Sequence, residues 1–174
     1  DETITGEEWN LNELHGEGGD DTLQGGNWRD TLDGGSGADT MRGMGGGDTY
    51  IVDNVDDRII EWEFGSGRDE VLTSLGRYTL PANVEDLVFT GKGNFYGVGN
   101  ELDNKITGGA GTDTLIGMGG RDTLTGGAGN DTYFVDDSRP ARSDPFAPYG
   151  TKAGEGNSDR IIEGANGGID KVYS

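Results

Sequence analysis

A nine-residue period constrains this chain more than any other feature. Residues 108–134 read as GGAGTDTLI, GMGGRDTLT and GGAGNDTYF; residues 16–51 read as GEGGDDTLQ, GGNWRDTLD, GGSGADTMR and GMGGGDTYI. Each of these seven units opens on Gly, with Asp at its sixth position, Thr at its seventh and a large apolar residue at its eighth. Glycine tolerates the left-handed backbone conformation, so the first six residues can close a tight turn with carbonyls directed inward. The sixth-position Asp adds a charged oxygen at the end of that turn. The last three residues then make a short strand whose eighth side chain points into the coil. Two units complete a coil of 18 residues, which stacks Asp21 on Asp39, Asp30 on Asp48, and Asp113 on Asp131. Stacked turns offer carboxylates and carbonyls to the gap between them. That donor set suits a hard cation with several oxygen ligands, of which Ca²⁺ is the usual one.

The units resemble the RTX (repeats-in-toxin) nonapeptide GGxGxDxUx. The stretch YTLPANVEDLVFTG, between the arrays, resembles the segment that often joins such arrays. The resemblance implies an all-β fold: a right-handed parallel β-roll or β-helix solenoid with Ca²⁺ in the stacked turns, exported by a type I route. The metal ligands expected in the first array are Gly16, Gly18, Asp21, Gly25, Asn27, Asp30, Gly34, Ser36, Asp39, Gly43, Gly45 and Asp48. In the second they are Asn104, Gly108, Ala110, Asp113, Gly117, Gly119, Asp122, Gly126, Ala128 and Asp131. About four to six Ca²⁺ are expected, at the ~10⁻⁴–10⁻³ M affinity of extracellular modules. The sites with two Asp are the better supported; Asn104 with Asp122, and Asn12 with Asp30, are weaker because an amide is neutral.

Composition sharpens this reading. Only 30% of the 174 residues are apolar and the net charge is −20, values that alone would suggest disorder. The registered Gly and Asp residues imply instead a chain whose core is too small to fold unaided, with metal supplying the difference. The charge has the wrong sign for nucleic acid or an anionic membrane. There is no Cys and hence no disulfide. A cysteine-free, Ca²⁺-stapled chain suits a secreted bacterial protein. No apolar run is long enough to span a membrane. No signal-peptide pattern opens the sequence, which fits a C-terminal secretion signal or a fragment cut from a longer protein; the sequence stops at Ser174 where its internal copy would continue, which suggests an excised fragment or a capped end.

Taken in order, the expected organisation is one solenoid over 1–174. Residues 7–51 hold the first array, led by a degenerate unit (Glu7–His15) in which Leu14 points inward and Trp9 covers the open end of the core. Trp28 replaces a fourth-position Gly and is expected to be exposed, distorting the turn at 25–30. Residues 52–98 form Ca²⁺-poor β coils of the same solenoid, with runs at 58–62, 70–75, 78–80, 84–90 and 94–98. Residues 99–134 hold the second array, again led by a degenerate unit. An inserted loop follows at 135–158, with Asp144–Pro145, Phe146 and Tyr149. Residues 159–174 are a partial copy of the coil after the first array: DRIIEWEFGSGRDEV (57–71) recurs as DRIIEGANGGIDKV (159–172).

No enzymatic constellation is legible. The lone His15 lies at an outward ninth position, and neither HExxH nor GxSxG occurs. The leading expectation is a non-catalytic Ca²⁺-binding module that folds outside the cell and stabilises or positions a neighbouring domain. Two alternatives remain: a module for extracellular polysaccharide, using Trp28, Trp62 and the 137–158 loop, and an adhesin or ice-binding solenoid using the outward seventh-position Thr rank.

Overall fold

The computed structural model describes residues 1–62, 67–135, 159–163 and 167–174. The insertion expected at 135–158 lies, from residue 136 onward, outside the described residues, and with it Asp144–Pro145, Phe146 and Tyr149.

The described residues form an all-β parallel solenoid. The Thr–apolar–x triplet closing each unit is the strand, because its β-branched and apolar residues suit a pleated, half-buried surface. One face of the coil is a continuous eight-stranded sheet of β2 (Glu13–His15), β4 (Thr31–Asp33), β6 (Thr49–Val52), β8 (Glu70–Thr73), β10 (Asp86–Phe89), β12 (Lys105–Thr107), β14 (Thr123–Thr125) and β16 (Arg160–Ile162). The opposite face is split. β1 (Thr3–Thr5), β3 (Thr22–Gln24), β5 (Thr40–Arg42) and β7 (Arg58–Ile59) make one sheet. β9 (Arg77–Thr79), β11 (Tyr96–Val98), β13 (Thr114–Ile116), β15 (Thr132–Phe134) and β17 (Lys171–Tyr173) make the other.

Register follows the 18-residue coil inside the arrays. Leu14 lies on Leu32, Leu32 on Tyr50, Leu23 on Met41, Ile106 on Leu124 and Leu115 on Tyr133. Between the arrays the coil length varies, with Tyr50 on Val71 and Val71 on Leu87, and the described strands there continue the same stacking. The eighth-position residues are buried in a single rank between the faces. Between the arrays the core widens around Phe89 and Phe95, whose rings stack at 4.6 Å. The copy at 159–173 stacks as its original does: Ile59 lies on Met41, and Ile161 on Leu124.

Two expectations need correction. Trp9 does not cover the open end of the core, being 68% exposed. Its place is taken by β1, an unforeseen strand that sets Ile4 over Leu23. The run expected at 58–62 is a strand only over Arg58–Ile59. His15 is outward as expected, beside Glu13 and Asp33. No helix among the described residues is long and apolar enough to cross a membrane.

Candidate metal centre

Each sixth-position carboxylate is fixed by the coil before it. The amide N–H of Asp21 donates to Asp39 Oδ1 at 2.7 Å, that of Asp30 to Asp48 Oδ1 at 2.7 Å, and that of Asp113 to Asp131 Oδ1 at 2.8 Å. The N–H of Asn104 donates in the same way to Asp122 Oδ1, at 2.8 Å. These Asp side chains are buried, which desolvation makes expensive for a charge without compensation. The ladder runs beyond the arrays: Asp57, Asp69, Asp159 and Asp170 accept from Asp39, Asp48, Asp122 and Asp131. Sequence reasoning missed these four. The repeated DRII and the Asp before each following strand were the available signal; Asp57 keeps the 18-residue spacing from Asp39, whereas Asp69, Asp159 and Asp170 lie 21, 37 and 39 residues after their donors.

The second carboxylate oxygen distinguishes two kinds of turn. In the turns of Asp30 and Asp113 it accepts a hydrogen bond from its own unit's second residue, Gly26 at 2.6 Å and Gly109 at 2.8 Å. In the turns of Asp21, Asp39, Asp48 and Asp131 that oxygen is buried with no hydrogen-bond partner. There the second residue is left-handed: Glu17 at φ 64°, Gly35 at 76°, Met44 at 79° and Gly127 at 102°. Neither Gly26 nor Gly109 has positive φ, and each directs its N–H onto the carboxylate. The turn of Asp30 therefore keeps its place in the ladder despite Trp28, which is exposed as expected. The N–H that engages Asp30 is not a distortion peculiar to Trp28, since the glycine-rich turn of Asp113 has it too.

First-position glycines complete the cradle. A Cβ on Gly16 would lie 2.7 Å from Asp21 Oδ2 and 2.5 Å from the Gly34 carbonyl of the next coil. One on Gly108 would meet Asp113 Oδ2 and the Gly126 carbonyl in the same way. Anionic and carbonyl oxygens thus converge where only glycine leaves room. A buried carboxylate oxygen without a donor, facing a carbonyl, fits a hard cation such as Ca²⁺. Third-position residues stack across coils, Gly18 on Ser36 and Ala110 on Ala128. The Ser36 carbonyl is also engaged, accepting the Gly19 N–H.

The two asparagines behave differently from the aspartates. Asn104 Oδ1 accepts the Asn100 N–H at 2.7 Å, while its Nδ2 donates to the Val84 and Glu85 carbonyls. Asn12 Oδ1 accepts the Glu7 N–H, and its Nδ2 donates to Asp30 Oδ1. An amide supplies donor and acceptor together, so it satisfies locally what two stacked carboxylates cannot. Burial pushes the carboxyls of Asp39 and Asp131 above the usual range, and neighbouring aspartates add to the shift.

Comparison with known proteins agrees with this geometry. The family model for the RTX calcium-binding nonapeptide repeat matches residues 15–50 and 98–133. The chain is similar over 51 residues, at 53% identity, to the endo-1,3-1,4-beta-glycanase ExsH of Rhizobium meliloti (strain 1021). That match covers 29% of this chain and 10% of the glycanase. No solved structure matches the chain.

Proposed function

Because its two arrays belong to the RTX calcium-binding nonapeptide repeat family, we propose that this chain is a non-catalytic module of a secreted bacterial protein that folds when it meets extracellular Ca²⁺. Folded, it stabilises or positions a neighbouring domain. The observation that carries this reading is the buried Oδ2 without a hydrogen-bond partner on Asp21, Asp39, Asp48 and Asp131, each beside a first-position glycine: Gly16, Gly34, Gly43 and Gly126. Without a cation, neighbouring coils about 4.8 Å apart set like charges against each other at roughly 1 kcal/mol per pair even in water. The apolar rank is one side chain wide. Each buried Leu contributes about 2 kcal/mol, whereas ordering each residue costs about 1–2 kcal/mol. Ca²⁺ shifts that balance by cancelling charge and tying turns together.

The ligands are the first-, third- and sixth-position residues of the turns. The turns of Asp21, Asp39, Asp48 and Asp131 take metal first, and those of Asp30 and Asp113 must first turn an amide away. About four to six ions are bound in all. Far-UV circular dichroism in EGTA, followed by titration with Ca²⁺ to ~5 mM, tests the reading. The β signal should appear with Ca²⁺; a complete β signal in EGTA would overturn it.

We infer that a polysaccharide-acting domain is among the neighbours such a module would serve, a reading supported by the 51-residue similarity to a glycanase. One arrangement favours a second reading, direct binding of extracellular polysaccharide. Trp9, Trp28 and Trp62 lie in one column of stacked turns and are 68%, 55% and 59% exposed. Loss of glycan retention in Trp9→Ala and Trp28→Ala, on affinity electrophoresis in Ca²⁺, is the result it requires.

A further inference from the structure

We propose that each array is closed by a Ca²⁺ site of a different build from the turns within it, made of three carboxylates: Asp48, Glu61 and Asp69 after the first array, and Asp131, Glu163 and Asp170 after the second. This rests on the reading of the arrays as Ca²⁺-binding. It adds ligands that lie outside the repeats, since the family match ends at residues 50 and 133.

In each trio one carboxylate oxygen per residue lies within 4.8 Å of the others. Ligand oxygens on opposite sides of one Ca²⁺, each at about 2.3–2.6 Å, stand roughly 5 Å apart. The trios therefore fit around a single Ca²⁺ without large movement. Acidic clusters alone mean little, but here the oxygens are committed inward. Asp48 and Asp69 are 1% and 0% exposed, and the Oδ2 of each is buried with no hydrogen-bond partner. Asp131 Oδ2 is in the same condition in the second trio.

The origin of the third carboxylate explains why it belongs to the exits. Inside an array, the gap beside an Asp is bounded by the first-position glycine of the next coil. Eighteen residues after Gly43 that position is Glu61, and DRIIE places Glu163 at the matching point after Gly126. A side-chain carboxylate thus enters where a backbone carbonyl stood. The last unit of each array is adapted to receive it. Its eighth residue is Tyr, not Leu or Met, and the hydroxyl accepts the first-position amide, Gly43 to Tyr50 at 2.7 Å and Gly126 to Tyr133 at 2.9 Å. The Tyr50 hydroxyl in turn donates to Glu61, and Tyr133 is bonded to Glu163. A Cβ on Gly43 would collide with both Asp48 Oδ2 and the Tyr50 hydroxyl, and one on Gly126 with both Asp131 Oδ2 and the Tyr133 hydroxyl. Tyrosine thus aims the glutamate at the aspartate. Three carboxylates and no nitrogen or sulfur donor select a hard cation. Three negative charges make these sites tighter than the turns, by ligand charge count.

Native mass spectrometry of the full chain in Ca²⁺ counts bound ions. The double variant Glu61→Gln/Glu163→Gln keeps size and the bond to tyrosine while removing charge. It should lose both exit ions and the tightest phase of Ca²⁺ binding, retaining the turn ions. Asp39→Asn should instead lose turn binding and keep the exits. Wild-type stoichiometry in the glutamine variant, with loss in Asp39→Asn, would overturn the exit sites and leave the module reading intact. Unchanged binding in both would overturn the module reading as well. Should the glutamine variant fail to fold, anomalous scattering from crystals of the unaltered chain grown in Ca²⁺ decides the matter. A peak between Asp48, Glu61 and Asp69 supports the site, and density confined to the turns refutes it.

Discussion

At the scale of the residue, the second position of each unit decides what its aspartate can do. Met118 adopts φ 71° and is half exposed, so it holds a left-handed conformation with little packing in return. For a non-glycine residue that conformation costs about 1–3 kcal/mol, while glycine adds unfolded-state entropy of about 0.4–1 kcal/mol. Met118→Gly should therefore stabilise the Ca²⁺-loaded fold by about 0.5–1 kcal/mol net, raising the melting temperature by a few degrees in calorimetry. The two kinds of sixth-position residue should also separate. Asp131→Ala removes a buried anionic oxygen and should weaken Ca²⁺ binding in isothermal titration calorimetry. Asn104→Ala removes an amide bonded to Asn100, Val84 and Glu85. It should leave Ca²⁺ affinity nearly unchanged while lowering stability by about 1–3 kcal/mol. Equal losses of affinity would refute that distinction.

At the scale of the element, the array exit concentrates the electrostatic strain. Burial pushes the carboxyls of Asp48 and Glu61 up to about 7 and that of Asp69 to about 6, and neighbouring carboxylates raise them further. An unfolded carboxyl titrates near 4. A carboxyl with a raised folded-state pKa favours the fold where it is protonated and loses that contribution as pH rises through the folded value. In EGTA the β signal should therefore increase as pH is lowered from about 8 to about 5, because protons do part of the cation's work. In saturating Ca²⁺ the trend should reverse, since protons then compete for the same oxygens. Circular dichroism across pH, with and without chelator, checks both signs. A chelated chain indifferent to pH would show that these carboxyls are not drawn together in the metal-free state.

At the scale of the whole molecule, strand pairing among the described residues joins the two arrays through one face only. The even-numbered strands run unbroken from β2 to β16, while the opposite face is interrupted between β7 and β9. Each coil touches chiefly its neighbours, so stability is close to a sum of local terms. A chain of −20 net charge with so narrow a core should be expanded without metal. Small-angle scattering should give a radius of gyration near 44 Å in EGTA, by the scaling of unfolded chains, and below about 20 Å in Ca²⁺. A compact chain in EGTA would contradict the proposed coupling of folding to metal.

The coil, its 18-residue register, the inward rank from Leu14 to Tyr133 and the stacked aspartates were legible in the sequence, because each depends on a strict local period. A side chain one coil away is always the same number of residues away, so spacing stands in for space. What only the tertiary structure decided lies where that equivalence fails. The coils between the arrays vary in length, so Asp69, 21 residues after Asp48, could not be recognised as a rung of the ladder by counting, whereas Asp57, 18 residues after Asp39, keeps the period. Glu61 and Glu163 reach the cradle through the bond from tyrosine, a contact no period encodes. Trp9 was expected to bury itself as a large aromatic, but the first strand had already covered the core beneath it. Whether an aspartate keeps an oxygen for a cation depends on one backbone angle at the second position. Glycine permits either state there, as Gly35 and Gly127 at positive φ and Gly26 and Gly109 without it show.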